Sequence, residues 1–135
     1  MPIIDTDLMI NYLRKKPEAV QIILRIIKEN ETLKTTIFNV GELYKGAYLS
    51  LDVAKSISGI TDLLKHFEII SYTLEDAIIY GKISAELKKS GKKIGDIDEL
   101  IASLVINHNE TLITRNIKHY NRIPNISLQN WESID

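Results

Sequence analysis

Three acidic side chains stand where an apolar strand or a loop passes into a helical pattern, and these are Asp5, Glu42 and Asp98. In a parallel sheet such junctions share one edge, so the three carboxylates are expected to meet although they lie far apart in the chain. Oxygen ligands gathered in this way suit hard divalent cations, which take a few carboxylates together with water and substrate phosphate. The sequence therefore predicts a site for Mg²⁺ or Mn²⁺ at this edge of the sheet.

The stretch IGDIDELIASLVI, from Ile94 to Ile106, holds three acids, one of which needs an explanation beyond helix capping. Asp96 is predicted to cap the helix, with Glu99 as its capping-box partner, and both are expected to point away from the apolar stripe. Asp98 shares its face with that stripe, where an unpaired carboxylate is costly. A structural alternative stays open, in which Asp98 favours the helix dipole and pairs with a lysine. The spacing favours Asp98 as a cation ligand.

The other two acids also have structural alternatives. Asp5, Thr6 and Asp7 follow the first predicted strand and could simply cap the next helix. Glu42 lies three residues after Asn39, a spacing that predicts a capping box starting at Asn39 and leaves Glu42 on the helix surface. Spacing alone therefore leaves a capping role and a site role equally open for Asp5, and it predicts Glu42 to be an ordinary surface glutamate.

Short apolar segments alternate with helical patterns along the chain. Strands are predicted over residues 3–4, 32–38, 67–71, 112–114 and 125–128, and helices over 7–15, 18–30, 40–51, 53–64, 75–89 and 96–106. Such alternation is typical of a parallel sheet covered by helices on both faces, which is an α/β sandwich. A length of 135 residues is that of one domain, so we predict a single domain over residues 1–135.

The composition excludes several classes of protein. Without cysteine the chain has no disulfide framework and no thiolate metal site, which fits a reducing cytoplasm. The most apolar segment, 20–27, is interrupted by Arg25 and is far shorter than the roughly 20 residues that a membrane helix needs. Asp5 comes too early for a signal peptide. A net charge of −1 predicts that any binding of nucleic acid is local.

Four segments together resemble the PIN-domain family, and within it the VapC-type toxin ribonucleases. They are IIDTDLMINYL from Ile3, FNVGELYKGA from Phe38, IGDIDELIASLVI from Ile94 and TLITRNIKHYNRIPNISLQNW from Thr111. Their order and spacing match over nearly the whole chain. The resemblance implies a three-layer α/β/α fold around a mainly parallel sheet, and Mg²⁺- or Mn²⁺-dependent hydrolysis of RNA phosphodiesters in an acidic pocket. It also implies a small antitoxin protein that inserts into this pocket, and a homodimer.

Matched by position, the family's acids fall on Asp5, Glu42 and Asp98, and the third does not fall on Asp96. This agrees with the helical spacing of Asp98. The family's polar positions near these acids fall on Thr6, Thr114 and Asn116. Basic residues close to the motifs could guide the RNA backbone toward the pocket, and these are Lys45, Arg115, Lys88, Lys89, Lys92 and Lys93. For the four lysines of 88–93, a solvated helix end is an equal alternative.

Two positions depart from the family's pattern. Asp7 replaces a frequent asparagine, and His119-Tyr120 stands where many relatives have an acid followed by phenylalanine. Losing that acid puts a second metal ion in doubt. Asn116 can still give one neutral oxygen, and His119 could coordinate Mn²⁺ through its ring, although an exposed histidine is more often solvated.

Two other functions stay open on the sequence alone. The segment IIDTDL also resembles haloacid-dehalogenase-type phosphatases, with Asp5 as nucleophile and Asp7 as acid/base. The chain is short for that family, and Gly95-Asp96 is not followed by an acid at the spacing that the family's last motif uses. The other alternative is a catalytically weakened module that keeps the fold and binds RNA or a protein partner, which the missing fourth acid would favour.

Overall fold

The computed structural model describes residues 2–29 and 32–133, which fold around one five-stranded sheet. Every pairing in the sheet is parallel, and the strand order is β3-β2-β1-β4-β5. The strands are β1 Ile3–Ile4, β2 Leu33–Thr36, β3 Phe67–Ile70, β4 Thr111–Thr114 and β5 Ser127–Asn130. The helices are α1 Thr6–Leu13, α2 Pro17–Lys28, α3 Ile37–Tyr48, α4 Val53–Leu64, α5 Leu74–Lys89, α6 Asp96–Asn107 and α7 Ile117–Tyr120, and a 3-10 turn follows at Trp131–Ser133.

Helices cover both faces of the sheet. β1 sends one fully buried side chain to each face, because successive strand residues point in opposite directions. Ile4 packs in a cluster with α1, α2, α3 and α4, and Ile3 packs in a second cluster with α5, α6 and α7. The predicted three-layer α/β/α sandwich with a parallel sheet is confirmed. Within the described residues, no helix has both the length and the apolar character needed to cross a bilayer.

The central position of β1 decides where a site can form. The chain runs from β1 to β2 and β3 on one side, and then crosses over to β4 and β5 on the other. In open α/β sheets, ligands bind at the carboxyl ends of the strands where the direction of winding switches. Asp5 directly follows β1, and its N–H donates to the Ile113 carbonyl of β4 at 3.0 Å. Asp5 therefore lies at this switch point.

The second strand is shorter than predicted. The Asn39 N–H donates to the Thr36 hydroxyl at 3.2 Å, and the Asn39 side-chain oxygen accepts from the Thr36 N–H at 3.3 Å. This reciprocal capping box starts α3 at Ile37, so the predicted strand over 32–38 was wrong at its end and Asn39 is not the N-cap. Because the helix starts earlier, Glu42 lies in its second turn, where no capping role is available.

The start of α6 also differs from the prediction. Gly95 has φ 116°, a conformation that favours glycine, and it is the N-cap residue. Asp96 is therefore one residue inside the helix, where its exposed carboxylate accepts from Lys93 at 3.2 Å. Glu99 was predicted to point away from the core, but it is fully buried and accepts from the Ile94 N–H at 3.2 Å. The predicted Asp96–Glu99 capping box was wrong.

Candidate active site

Asp5 is held by donors from three parts of the fold. As the N-cap of α1 it accepts from the Thr6 N–H at 2.9 Å. The Asn39 amide at the start of α3 donates to the same oxygen, Oδ1, at 2.8 Å, and the Thr114 hydroxyl at the end of β4 donates to Oδ2 at 2.7 Å. Asp5 is buried, both of its oxygens accept hydrogen bonds, and it caps α1 as well as lining a pocket at this end of the sheet.

Glu42 is joined to Asp5 through a short chain of hydrogen bonds. The Asn39 amide donates to the Thr6 hydroxyl at 2.9 Å, and the Thr6 hydroxyl donates to Glu42 Oε1 at 2.7 Å. Since Thr6 has one hydroxyl proton and already accepts from Asn39, its proton goes to Glu42. Both carboxylates are therefore acceptors, as a cation site requires.

Asp98 is the third carboxylate of the pocket, and it comes from α6, in the helix layer on the opposite face of the sheet from α1 and α3. It lies in the first turn of α6 and is half-buried, and the Tyr120 hydroxyl donates to its Oδ1 at 3.3 Å. Tyr120 is fully buried, and burial together with the nearby carboxylates raises its pKa well above 10, so it remains a donor at neutral pH. His119 is exposed, and its contribution is to lower the pKa of Asp98.

The carboxylates raise one another's pKa. Burial is the largest cause of the rise in the pKa of Asp5 from 3.8 to about 7, and the charges of Asp7 and Asp98 add to it. Burial also raises the pKa of Glu42 and of Asp98, and Asp7 adds to the rise at both. A bound cation would oppose these effects, because it favours the ionised form of each carboxylate.

Asp7 has a structural position rather than a free carboxylate. The Trp131 indole donates to its Oδ1 at 2.9 Å, and the Arg115 N–H donates to its Oδ2 at 3.1 Å. The Thr114 hydroxyl lies 3.1 Å from that same oxygen. The Arg115 guanidinium lies over the Trp131 ring at 5.9 Å. Both oxygens of Asp7 thus accept hydrogen bonds from the protein, and these bonds attach the segment around Trp131 to the edge of the pocket.

One pocket gathers most of the residues that the sequence singled out. Six predicted site residues line it, namely Asp5, Thr6, Glu42, Asp98, Arg115 and Asn116, together with Asp7, Ile10, Asn11 and Arg14. Lys45 contributes at a distance by lowering the pKa of Glu42. The prediction missed Asn39 as the residue that links Asp5 to Thr6, although the Thr36-x-x-Asn39 spacing carried a capping signal. It also missed Arg14, for which the sequence holds no distinguishing signal.

The donor set fits Mg²⁺ or Mn²⁺ by its chemistry, because hard oxygens from carboxylates and Asn116 line the pocket. Within residues 2–29 and 32–133, no three His, Asp or Glu side chains already form a metal-binding group. Mg²⁺ is usually held by one or two carboxylates, with water and substrate phosphate completing its octahedron. A cation held by a pair of these carboxylates and by water is therefore consistent with the pocket.

Replacing Asn39 tests how much its side-chain hydrogen bonds to Asp5 and Thr6 stabilise the protein. Asn39→Ala removes donors to Asp5 and Thr6 as well as the capping box of α3, so we expect it to lower the free energy of unfolding by about 2–4 kcal/mol. Thr36→Ala removes the cap but keeps the bond from Asn39 to Asp5, and we expect a loss of about 1 kcal/mol. Urea unfolding measures both. Equal losses would show that Asn39 acts only as a cap.

Comparisons with known proteins give a consistent result. The model of the PIN domain family matches residues 3–124. "Ribonuclease VapC2" of Rickettsia felis is 33% identical over 129 residues, which are 96% of this chain and 96% of that protein. "tRNA(fMet)-specific endonuclease VapC" of Salmonella typhimurium is 28% identical over 95% of this chain and 96% of its own length.

A solved structure shows the same arrangement of strands and helices. It is described as VapBC2 from Rickettsia felis bound to a DNA fragment from their promoter. The similarity has a TM-score of 0.88 with 32% sequence identity, and it covers 96% of this chain and 98% of that one.

Proposed function

The chain belongs to the PIN domain family, and from that premise we propose that it is a metal-dependent endoribonuclease, the toxin of a toxin–antitoxin pair. The observation that carries the proposal is the pocket at the switch point of the sheet, where Asp5 from the turn after β1, Glu42 from α3 and Asp98 from α6 come together. We also propose that residues 1–135 form a single PIN domain and that the reaction takes place in the cytoplasm, where RNA substrates are found.

Within this function, Asp5, Glu42 and Asp98 are the residues that would hold Mg²⁺ or Mn²⁺, directly or through bound water, and Asn116 offers a further neutral oxygen. When bound, such a cation would lower the pKa of a water molecule and stabilise negative charge on the scissile phosphate. Thr114 and Asn39 fix the Asp5 carboxylate by donating to its two different oxygens. These bonds orient Asp5 before substrate arrives, and no nucleophilic side chain is needed.

The phosphatase alternative is not supported. It requires the Asp7 carboxylate to move a proton, but Trp131 and Arg115 donate to its two oxygens. The family match points the same way. The weakened binding module remains the competing outcome of the experiment below.

The experiment incubates the purified chain, free of partner, with RNA in Mg²⁺, in Mn²⁺ and in EDTA. Since one relative is named a tRNA(fMet)-specific endonuclease, structured tRNA is the first substrate to test, beside a single-stranded RNA and a phosphomonoester. We expect cleavage of RNA that EDTA stops and no release of phosphate from the monoester. Metal-independent cleavage would contradict the proposal, and RNA binding without cleavage would favour the weakened module.

Two arginines give the pocket a positive side. Arg14 at the end of α1 and Arg115 after β4 both line it, while the net charge of the chain is −1. Phosphate contacts of this kind increase affinity and make it depend on salt. We propose that Arg14 and Arg115 bind the RNA backbone on either side of the scissile phosphate, with Lys45 close by.

Replacing Arg14 tests this binding role. Arg14→Gln is expected to raise KM for RNA severalfold with little change in kcat, and to reduce the slope of log(kcat/KM) against log salt by about 1. Lys28→Gln, at an exposed position at the end of α2, is the matched control and should change neither quantity. A fall in kcat alone would mean that Arg14 serves the chemical step rather than binding.

We further propose that a small antitoxin holds the chain, since the solved relatives include VapBC assemblies. Leu49 and Leu51 suit the antitoxin contact, because they are 77% and 108% exposed beside the start of α4. A Leu49→Glu/Leu51→Glu variant should cleave RNA normally but should not be inhibited by the antitoxin.

From the family resemblance we also propose that the nuclease forms a homodimer. Light scattering of the free chain tests the proposed homodimer, and a measured mass of one protomer would contradict it.

A further inference from the structure

Tyr120 stands out as a buried polar group beside the acidic pocket. Its ring belongs to the core cluster around Ile3, where it is fully buried, yet its hydroxyl donates to Asp98 Oδ1 at 3.3 Å. A hydroxyl buried among apolar side chains is retained at a cost unless it has a hydrogen-bond partner. In this structure the partner is one of the three carboxylates of the pocket.

We propose that Tyr120 is a positioning residue for RNA cleavage, whose hydroxyl fixes the Asp98 carboxylate so that it presents an oxygen to the divalent cation. This inference rests on the proposed function. Tyr120 does not line the pocket itself, so it acts through Asp98 and not on the substrate.

A second contact joins the same two parts of the fold. The Arg122 guanidinium, two residues beyond Tyr120, donates to the Lys93 carbonyl at 3.0 Å, in the loop that leads into α6. The segment around α7 therefore holds the start of α6 at two points, one on the backbone before the helix and one on the Asp98 side chain. Arg122 holds the backbone at Lys93, before α6, and the Tyr120 hydroxyl holds the Asp98 carboxylate in one rotational position.

The chemistry gives the direction and the size of the effect. Groups that hydrogen-bond to a metal ligand orient it, and their loss typically costs 10–100-fold in metal affinity or activity. The 3.3 Å separation is long for a bond to a carboxylate, which places the expected effect near the lower end of that range. Without the hydroxyl, Asp98 Oδ1 would face a phenyl ring, which makes its ionised form less favourable.

Tyr120→Phe removes the hydroxyl and keeps the ring. Tyr44→Phe is the matched control, since the Tyr44 ring is half-buried against the cluster on the opposite face of the sheet. Calorimetry measures the affinity for Mn²⁺ without RNA, steady-state kinetics separates kcat from KM, and urea unfolding in EDTA measures stability. For Tyr120→Phe we expect a Mn²⁺ dissociation constant about 10-fold higher, a kcat about 10-fold lower and an unchanged KM for RNA. Tyr44→Phe should match the wild type in its Mn²⁺ dissociation constant, its kcat and its KM for RNA.

The outcomes separate this inference from the function on which it rests. If the wild type binds Mn²⁺ and cleaves RNA, and Tyr120→Phe does so equally well with only its unfolding midpoint changed, then Tyr120 is purely structural and the inference fails alone. An equal loss in Tyr44→Phe would also overturn it. If the wild type neither binds Mn²⁺ nor cleaves RNA, the proposed function fails and takes this inference with it.

Discussion

Asp98→Asn is expected to abolish metal-dependent cleavage of RNA, whereas Asp96→Asn leaves most of it. The two acids are two residues apart in the same helical turn, but only Asp98 lines the pocket and accepts from Tyr120. Loss of a carboxylate ligand removes several kcal/mol of the stabilisation that a metal gives, which corresponds to a fall in kcat of at least about 100-fold. Initial rates on the same RNA, in saturating Mn²⁺, measure both variants.

Asp96→Asn is a close control because it changes the same functional group in the same turn. Its carboxylate is 70% exposed, and its bond to Lys93 is an exposed ion pair of a kind that contributes little to stability. The variant should therefore keep the fold and the Mn²⁺ affinity of the wild type. Equal loss of activity in both variants would contradict the assignment of Asp98 as a ligand, and would point to a general effect of charge at the start of α6.

The sequence predicted the sheet and the gathering of the acids because both follow from regular patterns. Alternating strands and helices leave few topologies, and any parallel sheet brings the ends of its strands to one edge. Asp5 and Asp98 could be placed there, since one follows a strand and the other shares a face with apolar residues. Their ligand roles remain predictions for the experiments above.

Capping details were predicted poorly because they depend on backbone angles that several sequences can satisfy. At α3, both Thr36 and Asn39 are good capping residues, and the structure uses them together. At α6, Gly95 enters the helix at positive φ, which moves Asp96 inside and turns Glu99 into the core. The predicted N-cap was off by three residues at α3 and by one residue at α6, and either error is enough to reassign every side chain in the first turn of the helix.

The contact between Tyr120 and Asp98 could not be predicted from the sequence for a different reason. His119 and Tyr120 are neighbours, and either could have faced the acids. The helix α7 sets which of the two side chains faces the acids, and its four residues are too few to show a helical period in the sequence. The structure turns Tyr120 inward and leaves His119 exposed, so the residue that drew attention as a possible ligand is not the one that contacts Asp98.

Asp5→Asn is expected to stabilise the metal-free protein at high pH while abolishing cleavage. The pKa of Asp5 rises from 3.8 to about 7 on folding, so the folded state keeps a proton that the unfolded chain has already lost. Its contribution to stability is complete below pH 3.8 and is lost as the pH rises to 7, at roughly 1.4 kcal/mol per pH unit. Above pH 7 the folded protein contains an ionised, buried Asp5, which is the unfavourable state that a cation would relieve.

Urea unfolding in EDTA at pH 5 and at pH 8 measures this effect. Between those pH values the wild type should lose about 3 kcal/mol relative to Asp5→Asn, because the asparagine cannot ionise. The amide oxygen can still accept from Thr6 and Asn39, so the fold is preserved. Asp62→Asn, at an exposed position, should follow the wild type. Adding Mn²⁺ at pH 8 should restore stability to the wild type alone, whereas parallel pH curves for wild type and Asp5→Asn would show that Asp5 is ionised in the folded protein throughout this range.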